Sequence, residues 1–202
     1  MTTTLTQPRL TFAQFLAQIP DEAGDYELVN GRIMRRLPIR RHEDIADFIA
    51  RKFDRLIEDA SLNYRVSGRI IIRTETETGV EQGRHPDVTV VNRVLWESQP
   101  TAQAALLEPP QVVVEVVSTN WEDDYVDKLD EYQRFGIPEY WLVDYLAIGS
   151  RSYLGNPKEP TVFVCVLQPD GTYQMNPYRG ETPIISPTFP ELVLIPVMLF
   201  DS

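Results

Sequence analysis

The chain has 202 residues, a net charge of −11, 43% hydrophobic and 24% charged residues. That length suits one domain with one sizeable core, and the composition is that of an ordinary globular protein. A single cysteine, Cys165, excludes an internal disulfide and a cysteine-based zinc cluster. It lies in an apolar run and reads as a buried small hydrophobe. No apolar run approaches the length of a membrane span, and Met1-Thr-Thr-Thr-Leu5 lacks the regions of a signal peptide. A cytoplasmic protein with no membrane partner is therefore expected. The acidity argues against a nucleic-acid partner, but its distribution does not. Residues 32–73 hold eleven of the nineteen basic residues against six acids, a local charge of +5, which leaves −16 elsewhere. One basic surface on an acidic body is one reading; arginines 35, 36, 40 and 41 decorating a solvated hairpin end is the other.

In chain order, residues 1–10 read as a flexible N-terminus and 11–202 as a single domain. Residues 11–19 suit a short amphipathic helix capped by Thr11, followed by a turn over 20–24. Two short strands flank Asn30-Gly31, the dipeptide that best fits a type I′ hairpin turn, and Pro38 ends the second. From about Arg41 to Asp59, the spacing of Ile45, Phe48, Ile49, Phe53, Leu56 and Ile57 predicts a longer helix, with Glu43 and Asp44 where its dipole favours acids. Strands follow at 64–66 and 69–73, then a polar loop over 74–83, then a strand entered through Pro86-Asp87. Residues 99–107 are ambiguous between a plain loop and a loop with a helical turn, ended by Pro109-Pro110. After 144 come short strands at 151–154, 161–167 and 172–175, the last two joined at Asp170-Gly171, and a docking tail rich in apolar residues over 189–200. The order predicts an α+β or α/β domain: a mixed central sheet, flanking helices and β-hairpins at both ends.

The stretch 111–144 stands out within that order. It reads as strand, loop, helix, strand, the helix stopped by Gly136 and Pro138. Residues 112–117 are β-branched and apolar except for Glu115, as suits a strand covered on both faces. A carboxylate there costs several kcal/mol by order of magnitude unless it is neutralised, paired or bound to a cation. In the helix, Trp121, Tyr125, Lys128, Tyr132 and Phe135 share one face, so a lysine sits within an aromatic stripe. Asp87 enters the preceding strand. Two carboxylates on neighbouring strands can hold a divalent cation completed by waters, which would activate a water beside a phosphate, with the lysine orienting it or stabilising charge.

Each residue also has a plainer reading. Asp87 suits a strand entry or turn. Glu115 could pair with Arg84 or Arg73. Asp124 and Lys128, four apart, suit a surface salt bridge. His42 could reach toward a metal or cap its helix, and Glu27 could add a carboxylate or pair with an arginine. Ser118 lacks any triad context, Asp144 reads as structural, and His85 as a neighbour without a role. No Walker loop, dinucleotide fingerprint or zinc spacing is present.

Pro86-Asp87 followed by Glu115-Val-Val117 resembles the signature of the PD-(D/E)xK phosphodiesterases. More closely, an ordered set of motifs is similar to the restriction-endonuclease-like family abundant in cyanobacteria. The set is Tyr26-Glu-Leu-Val-Asn-Gly31, His42 at the first long helix, Pro86-Asp87-Val-Thr-Val-Val91, Glu115-Val-Val-Ser118, Asp124-x3-Lys128-x3-Tyr132 and Gly136-Ile-Pro-Glu-Tyr-Trp-Leu-Val-Asp144. It spans roughly residues 12–200. The resemblance implies a restriction-endonuclease-like fold and a Mg²⁺- or Mn²⁺-dependent endonuclease acting on DNA. Asp87 and Glu115 would be the metal ligands and Lys128 the catalytic base or charge stabiliser, with Glu27, His42 and Asp124 as accessory residues. One departure is plain: the superfamily lysine would stand at 117, where this chain has Val117, so the resemblance implies that its role has moved to Lys128. Two other expectations are a non-catalytic nuclease-fold protein that binds nucleic acid or a protein, and a structural or regulatory homodimer built on the apolar tail.

Overall fold

The computed structural model describes residues 8–200 apart from Asp21 and Ala23, so residues 1–7 of the expected flexible N-terminus, and part of the 20–24 turn, lie outside it. The chain opens with α1 (Phe12–Gln18), β1 (Asp25–Val29), β2 (Arg32–Arg36), α2 (Arg40–Asp59), β3 (Tyr64–Ser67), β4 (Ile71–Glu75), β5 (Glu81–Arg84) and β6 (Val88–Asn92). It continues through α3 (Arg93–Glu97), β7 (Ala105–Leu106) and β8 (Val112–Val116). A π-helical turn (Asp123–Lys128) leads into α4 (Leu129–Phe135), followed by β9 (Glu139–Asp144), α5 (Arg151–Leu154), β10 (Thr161–Leu167), β11 (Tyr173–Tyr178) and α6 (Pro196–Phe200).

The strands form two mixed sheets, one ordered β2-β1-β5-β4-β7 and one ordered β11-β10-β9-β8-β6-β3. The six-stranded sheet is the expected central one. Its only parallel pair is β8–β9, the pair that the helical crossover between them requires. Alternation along β8 sorts its side chains: Val112, Val114 and Val116 pack with α2 residues Ile45, Ile49 and Phe53. Val113 and Val117 pack on the other face with Tyr125 and Tyr132. Period two puts Glu115 on that second face, beneath the crossover helix.

The five-stranded sheet was only half foreseen. The stretch expected as a polar loop over 74–83 is a hairpin, β4 pairing antiparallel with β5 around a turn at 76–80. Its polarity misleads because β5 buries Gln82 and Arg84 rather than apolar side chains. Gly83 has a steric role there: a Cβ would come within 2.8 Å of Phe15, so its absence lets α1 lie against the sheet. Thr11 caps α1 in a capping box with Gln14. Asn30 (φ 52°) and Gly31 (φ 80°) both turn left-handed, as a type I′ hairpin needs. That turn sets the β1–β2 register, Glu27 opposite Met34 and Asp25 opposite Arg36.

Two further expectations change. The segment 151–154 is a helical turn capped by the Ser150 side chain, not a strand. The apolar tail docks on the chain itself: Phe189, Leu192, Leu194 and Leu199 are buried in the α2-side core, while Val193 and Met198 stay exposed. Ring contacts of 5.3 Å join Phe189 to both Phe53 and Tyr64. Among the described residues, no helix is long and apolar enough to cross a membrane.

Candidate functional site

The site forms where the two sheets meet. The chain leaves the five-stranded sheet at Arg84 and enters the six-stranded one at Val88, so His85-Pro86-Asp87 is the link between them. Asp87 is not a plain turn residue. Its Oδ2 accepts the Val116 N–H at 2.7 Å, which ties the link to the end of β8 beside Glu115. The same oxygen lies 2.8 Å from His42 Nε2 on the first turn of α2. The contact is short but poorly angled for a hydrogen bond, and it becomes an ion pair when His42 is protonated.

Lys128 points into the protein and is 3% exposed. Its Nζ lies 2.9 Å from Glu115 Oε2, 2.9 Å from Asp124 Oδ1 and 3.9 Å from Glu27 Oε1. The Asp124–Lys128 pair, expected on the surface, is therefore buried. The backbone explains part of this: residues 123–128 wind as a π-helix, a form that concentrates at functional sites. Tyr132, next along the same face, donates its hydroxyl to Glu115 Oε1 at 2.8 Å. The structure thus brings together Asp87, Glu115, Lys128, Asp124, Glu27 and His42 and leaves none of them out.

Sequence reasoning misses the part that Arg36 and Glu131 play in this cluster, and it offers Arg84 only as a partner of Glu115. Arg36, grouped there with solvated arginines, reaches over the carboxylates instead: Nη2 is 3.3 Å from Asp87 Oδ1, and Nη1 is 3.6 Å from Glu27 Oε1 and 3.7 Å from Glu115 Oε2. The signal was present, because the Asn30-Gly31 turn puts Arg36 diagonal to Glu27 on one face of the hairpin. Behind Glu27, Arg84 grips Glu131 through two hydrogen bonds of 2.7 and 2.5 Å, with Thr74 donating to the same carboxylate. Arg84 lies 3.7 Å from Glu27 Oε2, so it meets Glu131 and Glu27 rather than Glu115, while Arg73 pairs with Glu75 and Glu81. Asp144 is structural, accepting from the Tyr125 hydroxyl and the Ile148 and Gly149 amides. His85 Nδ1 lies 3.4 Å from Asp25.

The electrostatics separate the two central acids. Burial works against the charge of Asp87, yet His42 and Arg36 hold it down at about 2. Burial pushes Glu115 up to about 7; Lys128 pulls it down more than the nearby Asp87 charge pushes it up, but burial outweighs both. Asp124 is raised by burial, against Lys128. Lys128 itself is raised despite burial, because Asp124, Glu115 and Glu27 surround it. Four carboxylates thus face Lys128 and Arg36, with Arg84 also beside Glu27 while it is held by Glu131.

Hard carboxylate oxygens are the donors that Mg²⁺ or Mn²⁺ takes. Glu115 Oε2, fully buried, makes no hydrogen bond and is faced by Lys128 Nζ at 2.9 Å, so a metal there would share it with the ammonium. Among the described residues, no three His, Cys, Asp or Glu side chains form a ready-made metal cage. A shell half of protein and half of water, the one magnesium favours, fits Asp87 and Glu115 better than a closed cage would. The cluster opens into a cleft of about 350 Å³, whose walls include Met34, Arg36, Leu37, His42, Ser118 and Lys128.

Residues 12–198 match the Uma2 family model, described as putative restriction endonuclease. The chain belongs to the Uma2 family. Its fold is shared with the crystal structure of a putative nuclease belonging to DUF820 from Anabaena variabilis ATCC 29413, at 20% identity and a TM-score of 0.68. That match covers 95% of this chain and 98% of the other. Among curated proteins, none matches. Membership of the Uma2 family supports a nuclease-like function.

Proposed function

We propose that this Uma2 protein hydrolyses phosphodiester bonds in DNA as an endonuclease, with a divalent cation, Mg²⁺ or Mn²⁺, held by Asp87 and Glu115. The observation that carries the reading is the meeting of Asp87, Glu115 and Lys128, from three separate elements, at one buried cluster open to a cleft. When bound, such a cation lowers the pKa of water and offsets charge on a phosphate. The chain's own residues set the rest. The Val116 amide and His42 fix Asp87, and Tyr132 fixes Glu115. In this reading Lys128, 2.9 Å from Glu115, takes the role that Val117 cannot fill. Its ammonium is held charged by its neighbours, which suits stabilising charge on the phosphate and not abstracting a proton. Glu27 and Asp124 orient that ammonium.

The test is cleavage of supercoiled, linear and single-stranded DNA with Mg²⁺ or Mn²⁺. Product is expected with wild type and lost with EDTA or in Asp87→Asn, Glu115→Gln and Lys128→Met. If no DNA form is cut under either metal, the reading fails.

One observation favours a second reading, a non-catalytic nuclease-fold protein that binds nucleic acid or another protein: Arg36 and Lys128 already lie against the carboxylates. Gel shifts across a salt series separate the two, since binding with a steep salt slope and no metal-dependent product belongs to the second. A homodimer built on the apolar tail has less support, because Phe189, Leu192, Leu194 and Leu199 are buried in the chain's own core, leaving Val193 and Met198 as the tail's exposed apolar side chains.

A further inference from the structure

We propose that Arg36 is the resident cation of the carboxylate cluster, displaced when a divalent ion binds, and that it thereby sets the ion affinity of the site. The inference rests on the reading that Asp87 and Glu115 hold such an ion.

Position is the first argument. Arg36 contacts carboxylates from three elements: Glu27 on β1, Asp87 on the link between the sheets and Glu115 on β8. Its side chain is 21% exposed, whereas those of Glu27, Asp87 and Glu115 are 8%, 7% and 0% exposed. Lys128, at 3%, closes the cluster from within. Arg36 is thus the cation on the solvent side, on the route by which an ion would arrive.

Grip is the second. A guanidinium paired firmly to a carboxylate makes charge-assisted bonds of roughly 2.7–2.9 Å, often two in parallel. Arg84 does this with Glu131, at 2.7 and 2.5 Å. Arg36 does not: its approaches to the three carboxylates run from 3.3 to 3.7 Å, and its short bond, 2.6 Å, goes to the His85 carbonyl. It hovers over the acids while anchored to the backbone beside them. The fork therefore supplies positive charge without a close bond to Glu115 Oε2, which it approaches only to 3.7 Å and whose near partner is Lys128 at 2.9 Å.

Freedom to leave is the third. Arg36 is the last residue of β2, an edge strand paired only to β1. The cleft of about 350 Å³ lies beside it and can receive the side chain. A guanidinium moved there keeps its charge at the mouth of the site, where a phosphate would lie. Two cations cannot share the same few ångströms without mutual repulsion, so occupation by the ion and by the fork compete.

The experiment compares Mn²⁺ binding to metal-free wild type, Arg36→Gln and Asp87→Asn by isothermal titration calorimetry, with folding checked by circular dichroism. Arg36→Gln is expected to bind Mn²⁺ at least about tenfold more tightly than wild type, since the competing charge is gone. Binding that appears only in Arg36→Gln also supports displacement. Equal or weaker binding in Arg36→Gln, with wild-type binding that Asp87→Asn removes, overturns the inference and leaves the metal reading standing. Binding that survives Asp87→Asn, or is absent from both wild type and Arg36→Gln, overturns the metal reading and the inference with it. A crystal of wild type grown in MnCl₂ gives a check that needs no variant. Anomalous density at Asp87 and Glu115 with the guanidinium turned into the cleft is expected, and a guanidinium still over both carboxylates beside that density refutes displacement.

Discussion

Lys128 Nζ sits 2.9 Å from Glu115 Oε2, joining a carboxylate inside a fully buried strand to a lysine on the π-helical turn that covers it. Neither charge is stable there alone. Removing one partner of a buried ion pair leaves the other uncompensated and costs about 3–5 kcal/mol. Lys128→Met should therefore lower unfolding free energy in urea by that order. Adding Glu115→Gln to it should restore part of the loss, because the orphaned acid is then gone. A loss below about 1 kcal/mol in the single variant, the range of exposed pairs, would mean that Lys128 lies at the surface in solution.

The two histidines should titrate on opposite sides of their ordinary 6.5. Burial opposes the charged form of His42, but contact with Asp87 outweighs it and raises the pKa. Burial, helped by Arg36, lowers that of His85 against the pull of Asp25 and Glu27. The linked stabilities have opposite signs. His42 contributes stability that is full below 6.5 and fades as pH rises through its folded pKa. His85 contributes stability present above 6.5 that fades as pH falls through its folded pKa. Proton NMR of metal-free protein, assigned with His85→Asn, reads both directly, and a His42 midpoint below 6.5 would contradict its contact with Asp87.

The order of elements and the two odd charges were legible because they rest on local rules. An Asn-Gly turn, a helical apolar period, and a carboxylate in a β-branched run each have one dominant physical reading. What escaped depends on tertiary burial of polar groups. Most of β5 reads as loop because 74–83 is polar throughout, yet the partners of Gln82, Gly83 and Arg84, which are Asn30, Phe15 and Glu131, lie far away in sequence. Arg36 was lost among neighbouring arginines, since only the pairing register separates it from the exposed Arg35. Glu131 shared the face of Asp124 and Lys128, but nothing nearby in sequence announced its partner.

Phe189 carries the claim that the tail belongs to the core. It is 1% exposed and meets Phe53 and Tyr64 in edge-on ring contacts. Truncating a buried phenylalanine costs about 3–5 kcal/mol, so Phe189→Ala should lower stability by that order and leave the oligomeric state unchanged in sedimentation. If instead the variant kept its stability and a wild-type dimer dissociated, the tail would be an intermolecular surface after all.

Tyr132 gives a way to probe Glu115 without touching its charge. The hydroxyl is buried, burial raises its pKa well above the usual tyrosine value with Glu115 adding to the effect, and it therefore stays a proton donor to Glu115 Oε1 at 2.8 Å. Residues that orient a metal-ligating carboxylate typically matter about 10–100-fold in affinity or activity. Tyr132→Phe keeps the ring and its 5.0 Å contact with Tyr140, so packing changes little. Cleavage should fall by that factor. Mn²⁺ affinity should fall in parallel, since a Glu115 that has lost its donor is free to rotate away from Asp87. The loss should also be smaller than that of Glu115→Gln, which removes the ligand itself. Equal Mn²⁺ affinity in Tyr132→Phe and wild type would mean that Glu115 is held by Lys128 alone and that the tyrosine serves packing.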